Sequence, residues 1–100
     1  MSGNGYAVTM EFLARPGQED ALIQACRELA PLCRAQPGCL AWLPLRDRQD
    51  PRRFVLYMRW QDEAAYQAYL VSSHIQDFQE RLAPWLLQGP PLTRAFKVLA

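Results

Sequence analysis

Between Trp60 and His74 the chain reads WQDEAAYQAYLVSSH, and this short segment gathers most of its chemically capable side chains. Its residues predict a strand ending in an aromatic at Trp60, a helix opened at once by Asp62-Glu63, a break at Ser72-Ser73, and a histidine heading a second helix. A helix start carries unpaired N–H groups and partial positive charge, a setting that favours neutral imidazole over imidazolium. Neutral imidazole is a usable base at ordinary pH. Trp60, Tyr66 and Tyr69 make any pocket they border aromatic and mostly apolar, with His74 as its one group titrating near neutrality. Such a pocket suits a planar, weakly acidic organic ligand better than a sugar, a nucleotide or a metal. A plainer reading competes. On the residues alone, His74 fits better as a hydrogen-bonded helix-start residue at the edge of the core, and Trp60 fits equally well as filler between strand and helix. Tyr66 and Tyr69, three residues apart, share a helix face, so at most one need be functional.

The elements that must position these groups follow from periodicity. Tyr6, Val8, Met10 and Phe12 alternate with Ala7, Thr9, Glu11 and Leu13, which predicts a strand over 6–13. Arg15-Pro16-Gly17 turns the chain. Gln18-Glu19-Asp20 opens a helix with carboxylates where the dipole favours them, and Leu22, Cys26, Leu29 and Cys33 continue it at helical spacing. Pro31 predicts a kink, because Leu32 and Cys33 keep the phase beyond it. After Gln36-Pro37-Gly38, a short apolar strand runs from Cys39 to Leu45, with Pro44 marking it as an edge. The polar tip Arg46–Arg53 leads to a third strand, Phe54–Trp60, on which Tyr57 faces away from Trp60. Alternating Arg and Asp in that tip reads more readily as a solvated turn than as an anion grip. A helix is expected over Asp62–Val71. Ser73-His74-Ile75-Gln76 matches a capping box for the next helix, with Ile75, Phe78 and Leu82 on one face. Gly89-Pro90-Pro91 ends that region, Trp85 packs near its end, and Leu92–Leu99 forms a fourth strand.

The order β-α-β-β-α-β predicts an α+β fold, a ferredoxin-like antiparallel four-stranded sheet with helices on one face. One hundred residues make a single domain, 1–100, with 1–5 as a flexible N-terminus. Half the residues are hydrophobic, more than so small a core requires, and apolar residues occupy both sheet faces. A homodimer closing a dimeric α+β barrel is the expected cover. The net charge of +1 gives no footprint for nucleic acid or an anionic membrane. With no apolar run long enough to span a bilayer and no signal-like N-terminus, a cytoplasmic location is expected. Cys26, Cys33 and Cys39 are odd in number and lack C-x-x-C spacing, which indicates neither a disulfide framework nor a zinc site.

The runs Phe12–Asp20, Gln36–Cys39 and Trp60–Tyr66, followed by Ser73-His74 and Phe78, resemble the antibiotic biosynthesis monooxygenase domain over about Val8 to Val98. The resemblance implies small dimeric oxygenases that use neither metal nor organic cofactor and hold a phenol or hydroquinone between the sheet and the helices. Deprotonation makes such a ligand electron-rich enough to reduce dioxygen, and a dry aromatic pocket shields the intermediate. Carried over by position, His74 withdraws or orients the phenolic proton. Trp60, Tyr66, Leu56, Met10 and Phe78 hold the ring, and Tyr69 offers a hydrogen bond to a substrate oxygen. The chain departs from the pattern in several places. Many quinol-oxidising relatives have a second histidine at Tyr69. Antibiotic-pathway relatives have asparagine at Leu56 and an arginine near Glu80, which here precedes Arg81. Haem-degrading relatives have asparagine, tryptophan and histidine where this chain has Met10, Tyr69 and Gln79, so no axial haem ligand is in place. The expected function is therefore a cofactor-independent monooxygenase of a phenolic, hydroquinone or polyketide-like aromatic. The alternatives are a non-catalytic dimeric module for a small apolar metabolite, or an isomerase of a small carbonyl compound.

Overall fold

The alternating segments become strands and the three-four spaced ones helices. The computed structural model describes residues 5–87 and 91–100 and runs β1 (Tyr6–Leu13), α1 (Glu19–Arg34), β2 (Cys39–Arg46), β3 (Arg53–Trp60), α2 (Glu63–Leu70), α3 (Ser73–Leu82), a 3-10 turn (Ala83–Trp85) and β4 (Leu92–Lys97). The strands lie in the order β2-β3-β1-β4, every pair antiparallel, which is the ferredoxin-like α+β arrangement. The expected flexible N-terminus and the turn at Gly89-Pro90 fall outside the described residues, except for Gly5, whose carbonyl accepts from Val98 N at 2.9 Å.

Register fixes which residues share a face. Pro44, Leu56, Met10 and Thr93 form one row across the sheet, and Trp42, Met58, Val8 and Ala95 form the next. These rows face the helices. Phe54, Leu56, Met58 and Trp60 are buried there against Leu22, Cys26, Leu29 and Cys33 of α1, Tyr66 and Tyr69 of α2, and Ile75, Phe78 and Leu82 of α3. The opposite face carries Leu43, Leu45, Val55, Tyr57, Phe96 and Leu92, interrupted by Arg59, Arg94 and Glu11. Phe96 is 47% and Leu92 54% exposed, so this face has no cover within one protomer.

Local chemistry explains the ends. α1 runs on through Pro31, whose ring lies on the exposed side where it meets no core. α2 begins at Glu63, because Asp62 is its N-cap and accepts from Ala65 N at 2.9 Å. The capping box expected at Ser73-x-x-Gln76 does not form. Ser72 is the N-cap, and its hydroxyl turns back to the Tyr69 carbonyl at 2.7 Å, leaving Ser73 inside the helix. β4 stops at Lys97, short of Leu99. Gly38 sits at φ +81°, and a Cβ there would lie 2.5 Å from that of Ala65, so the turn leading into β2 meets α2 backbone against side chain. The Gly38 carbonyl also accepts from Gln61 N at 2.8 Å.

Candidate active site

Strand β3 and helix α2 build an aromatic cluster. The Trp60 ring lies 4.7 Å from Tyr69 and 6.1 Å from Tyr66 between centroids, and Tyr66 lies 5.6 Å from Tyr6. From β2, the Trp42 indole N–H donates to the Tyr69 hydroxyl at 3.1 Å. Burial pushes the Tyr69 phenol well above its ordinary pKa, against a smaller lowering by the Trp42 hydrogen bond. The Tyr66 phenol is raised too, by burial first and by the nearby Tyr6 second. These phenols stay neutral at physiological pH and act as hydrogen-bonding walls, not bases. The rings fill their own space. Trp60 is fully buried, and its Nε1 has no hydrogen-bond partner.

A hollow suited to a small molecule lies further along the sheet. A cavity of about 520 Å³ opens between the helix-facing side of β1 and β4 and the end of α3, lined by Met10, Thr93, Gln79, Leu82, Ala83, Leu86 and Pro91. Met10 and Thr93 are register partners and form its floor. The 3-10 turn and Leu86 close one end, held by paired backbone bonds to the exit of β1: Arg15 N to Trp85 O at 2.7 Å and Leu87 N to Leu13 O at 2.8 Å. The lining is apolar apart from the Gln79 amide and the Thr93 hydroxyl, and a cavity of this size and character accepts an aromatic small molecule. Leu56, beside Met10 in the same row, is buried in the core.

His74 does stand at a helix head, as the second residue of α3, but it does not face this cavity. It is half-buried and borders a separate groove of about 280 Å³ between α1 and α3 with Glu28, Leu29, Leu32, Asp77, Phe78 and Arg81. The two hollows share no lining residue. The Ser72 hydroxyl donates to the Tyr69 carbonyl and also lies 3.4 Å from His74 Nε2, so the histidine is tied to the helix start.

The seven expected site residues therefore divide: Met10 at the cavity, His74 at the α1–α3 groove, Phe78 between that groove and the core, and Trp60, Tyr66, Tyr69 and Leu56 in the core. Helix geometry is the reason. Residues 74, 77 and 81 of α3 turn toward α1, Phe78 reaches from that groove into the core, and 79 and 82 border the cavity over the sheet. Gln79 and Thr93 were missed as cavity residues. Position 79 carried a signal, being one that binds ligand in haem-degrading relatives, and alternation from Leu92 puts Thr93 on the helix-facing side.

Among the described residues no group of three or more His, Cys, Asp or Glu side chains could hold a metal ion. Burial pushes the Cys26 thiol up to about 11 and the Cys33 thiol up to about 12, which silences both as nucleophiles. No helix among the described residues is long and apolar enough to cross a membrane.

Comparison with known proteins adds the lineage. No curated protein matches the chain. Among solved structures, a candidate antibiotic biosynthesis monooxygenase from Nitrosomonas europaea superposes with a TM-score of 0.90 at 21% identity, covering 95% of this chain and 99% of that one. A conserved protein from Methanosarcina mazei gives 0.91 at 15% identity, covering 98% and 96%. These two likenesses speak for the fold. A protein of unknown function from Nitrosomonas europaea is 31% identical, with a TM-score of 0.84 and coverage of 97% and 91%. The family model for antibiotic biosynthesis monooxygenase matches residues 5–81. With sheet order, helix placement and this match in agreement, the chain belongs to the antibiotic biosynthesis monooxygenase family.

Proposed function

We propose that this chain is a cofactor-independent monooxygenase oxidising a phenolic, hydroquinone or polyketide-like aromatic small molecule, and that it works as a homodimer paired through the uncovered sheet face. The observation that carries the reading is the apolar cavity of about 520 Å³ over Met10 and Thr93 in a member of this family. In this scheme the ring rests on Met10, Leu82 and Leu86, and a substrate oxygen bonds to the Gln79 amide or the Thr93 hydroxyl. Neither group titrates near neutrality, so both orient the substrate while its phenolic proton leaves to solvent. The anion passes an electron to dioxygen. One oxygen atom enters a ring carbon, and the other leaves as water with the two hydrogens the substrate gives up. The apolar walls keep bulk water from the intermediate.

Oxygen uptake over a hydroquinone panel tests the reading. Saturable uptake that Met10→Trp, which fills the cavity, reduces at least about tenfold supports it. Uptake indistinguishable from that of Met10→Trp across the panel sinks it. His74→Ala is expected to keep the rate within about threefold, and a far larger loss returns the histidine to the reaction. A second reading, a non-catalytic module for a small apolar metabolite, draws on the lack of any titratable side chain lining the cavity among the described residues. A ligand recovered unchanged, with its binding lost in Met10→Trp, favours it.

A further inference from the structure

The structure assigns a second small-molecule site to the groove between α1 and the base of the β2–β3 hairpin, and its chemistry points to a carboxylate carried on a short apolar body. The groove has a volume of about 320 Å³ and is lined by Ile23, Cys26 and Arg27 of α1, Pro44, Leu45 and Arg46 of β2, and Phe54 of β3. It shares no lining residue with the cavity over Met10, and the inference stands apart from the monooxygenase reading.

Two arginines flank an apolar floor. Cys26 and Phe54 are buried at its base, with Ile23 and Pro44 half-buried beside them. No carboxylate lines the groove, and neither Arg27 nor Arg46 has an ion-pair partner among the described residues. Neighbouring cations are already engaged: Arg53 lies 3.9 Å from both Glu11 and Asp47, and Arg81 lies 3.4 Å from Glu28. Arg46 is also oriented in advance. Its Nε donates to the Pro51 carbonyl at 2.8 Å, and its guanidinium carbon stands 5.8 Å from the centre of the Phe54 ring. Its terminal N–H groups remain free to meet the two oxygens of a carboxylate side by side.

The hairpin adds a favourable field. Residues 46–53 hold four arginines against two aspartates, and both aspartates are occupied locally. Asp47 accepts from Gln49 N and Asp50 from Arg52 N, each closing its own turn. A bare inorganic anion would leave Ile23, Pro44 and Phe54 unused, and a neutral apolar molecule would leave both guanidinium groups unused. A single ring or a short chain ending in a carboxylate satisfies both.

Titration of the whole chain by amide NMR tests this, with 3-phenylpropanoate, 3-phenylpropanamide and acetate as probes. The acid is expected to shift the resonances of Ile23, Cys26 and Phe54 saturably, with the neutral amide and acetate each binding at least tenfold more weakly. Arg46→Gln and Arg27→Gln should each raise the Kd at least fivefold, and Arg27→Glu should abolish binding. Both side chains are exposed, so a thermal midpoint close to the parent's will show that the fold is intact. Equal affinity for acid and amide, indifference to the arginine substitutions, or shifts confined to Met10 and Thr93 would each overturn the assignment.

Discussion

Trp42 and Tyr69 are joined across the core: the indole N–H of a β2 residue donates to the phenol of an α2 residue at 3.1 Å, with both side chains 1% exposed. A buried donor stripped of its acceptor costs about 1–3 kcal/mol. Tyr69→Phe strips it while keeping the ring that packs on Trp60, so a loss of that size in urea unfolding is expected. Trp42→Phe removes the donor and much of the indole together, and should cost more through the void it leaves. Equal stability of Tyr69→Phe and parent would mean that the bond contributes nothing net.

Alkaline pH should weaken the fold. Cys26, Cys33 and Tyr69 all have folded pKa values raised by burial, the thiols from 9.0 to about 11 and about 12. Below pH 9 both states hold these protons and pH has no leverage. Above it the unfolded chain releases protons that the folded chain retains, so stability falls as pH rises toward the folded values. Urea midpoints measured from pH 8 to 11 should decline. The decline should be shallower in the double variant Cys26→Ala, Cys33→Ala, whatever its starting stability. An identical slope would contradict the assignment to the thiols.

Gly38 and Gly17 separate two costs of a methyl group. Both have positive φ, +81° and +86°, but a Cβ on Gly17 meets nothing within 4 Å, whereas one on Gly38 strikes Ala65. Gly17→Ala should therefore cost about 1–2 kcal/mol, the left-handed backbone penalty alone. Gly38→Ala adds overpacking and should cost about 2–4 kcal/mol. Comparable losses for the two would show that α2 shifts away freely.

Much of this architecture was legible in the residues. The two-residue period of Tyr6–Leu13 and Phe54–Trp60 gave strands and correct faces, because one face of each strand is buried and only one register hides Val8 and Leu56 together. The placement of His74 at a helix start was legible for the same kind of reason, since Ser72-Ser73 breaks the preceding helix. The direction in which His74 points was not. That depends on how α3 rolls between α1 and the sheet, which is settled by Ile75, Phe78 and Leu82 burying themselves together. The capping geometry failed at the sequence level because two adjacent serines offered themselves, and Ser72, whose hydroxyl bonds back locally to the Tyr69 carbonyl three residues earlier, became the N-cap. Trp60, Tyr66 and Tyr69 read as a pocket wall, yet three large rings in contact leave little room between them.

The uncovered sheet face carries an assembly prediction. Phe96 stands 47% exposed on it, so Phe96→Asp leaves the protomer core untouched and places charge within the proposed dimer contact. Sedimentation should report about twice 11.5 kDa for the parent and about 11.5 kDa for the variant. A parent already at the smaller mass would remove the dimer from the scheme.

Strand order also dictates how the chain can be assembled during synthesis. β1 is an inner strand, yet its hydrogen-bonding neighbours are β3 and β4, and it never touches β2. The segment from Tyr6 to Arg46 therefore emerges with β1 unpaired on both edges. That strand gains one neighbour when Arg53–Trp60 appears and the other only with Leu92–Lys97. Closure of the four-stranded sheet therefore waits until Leu92–Lys97 has left the ribosome.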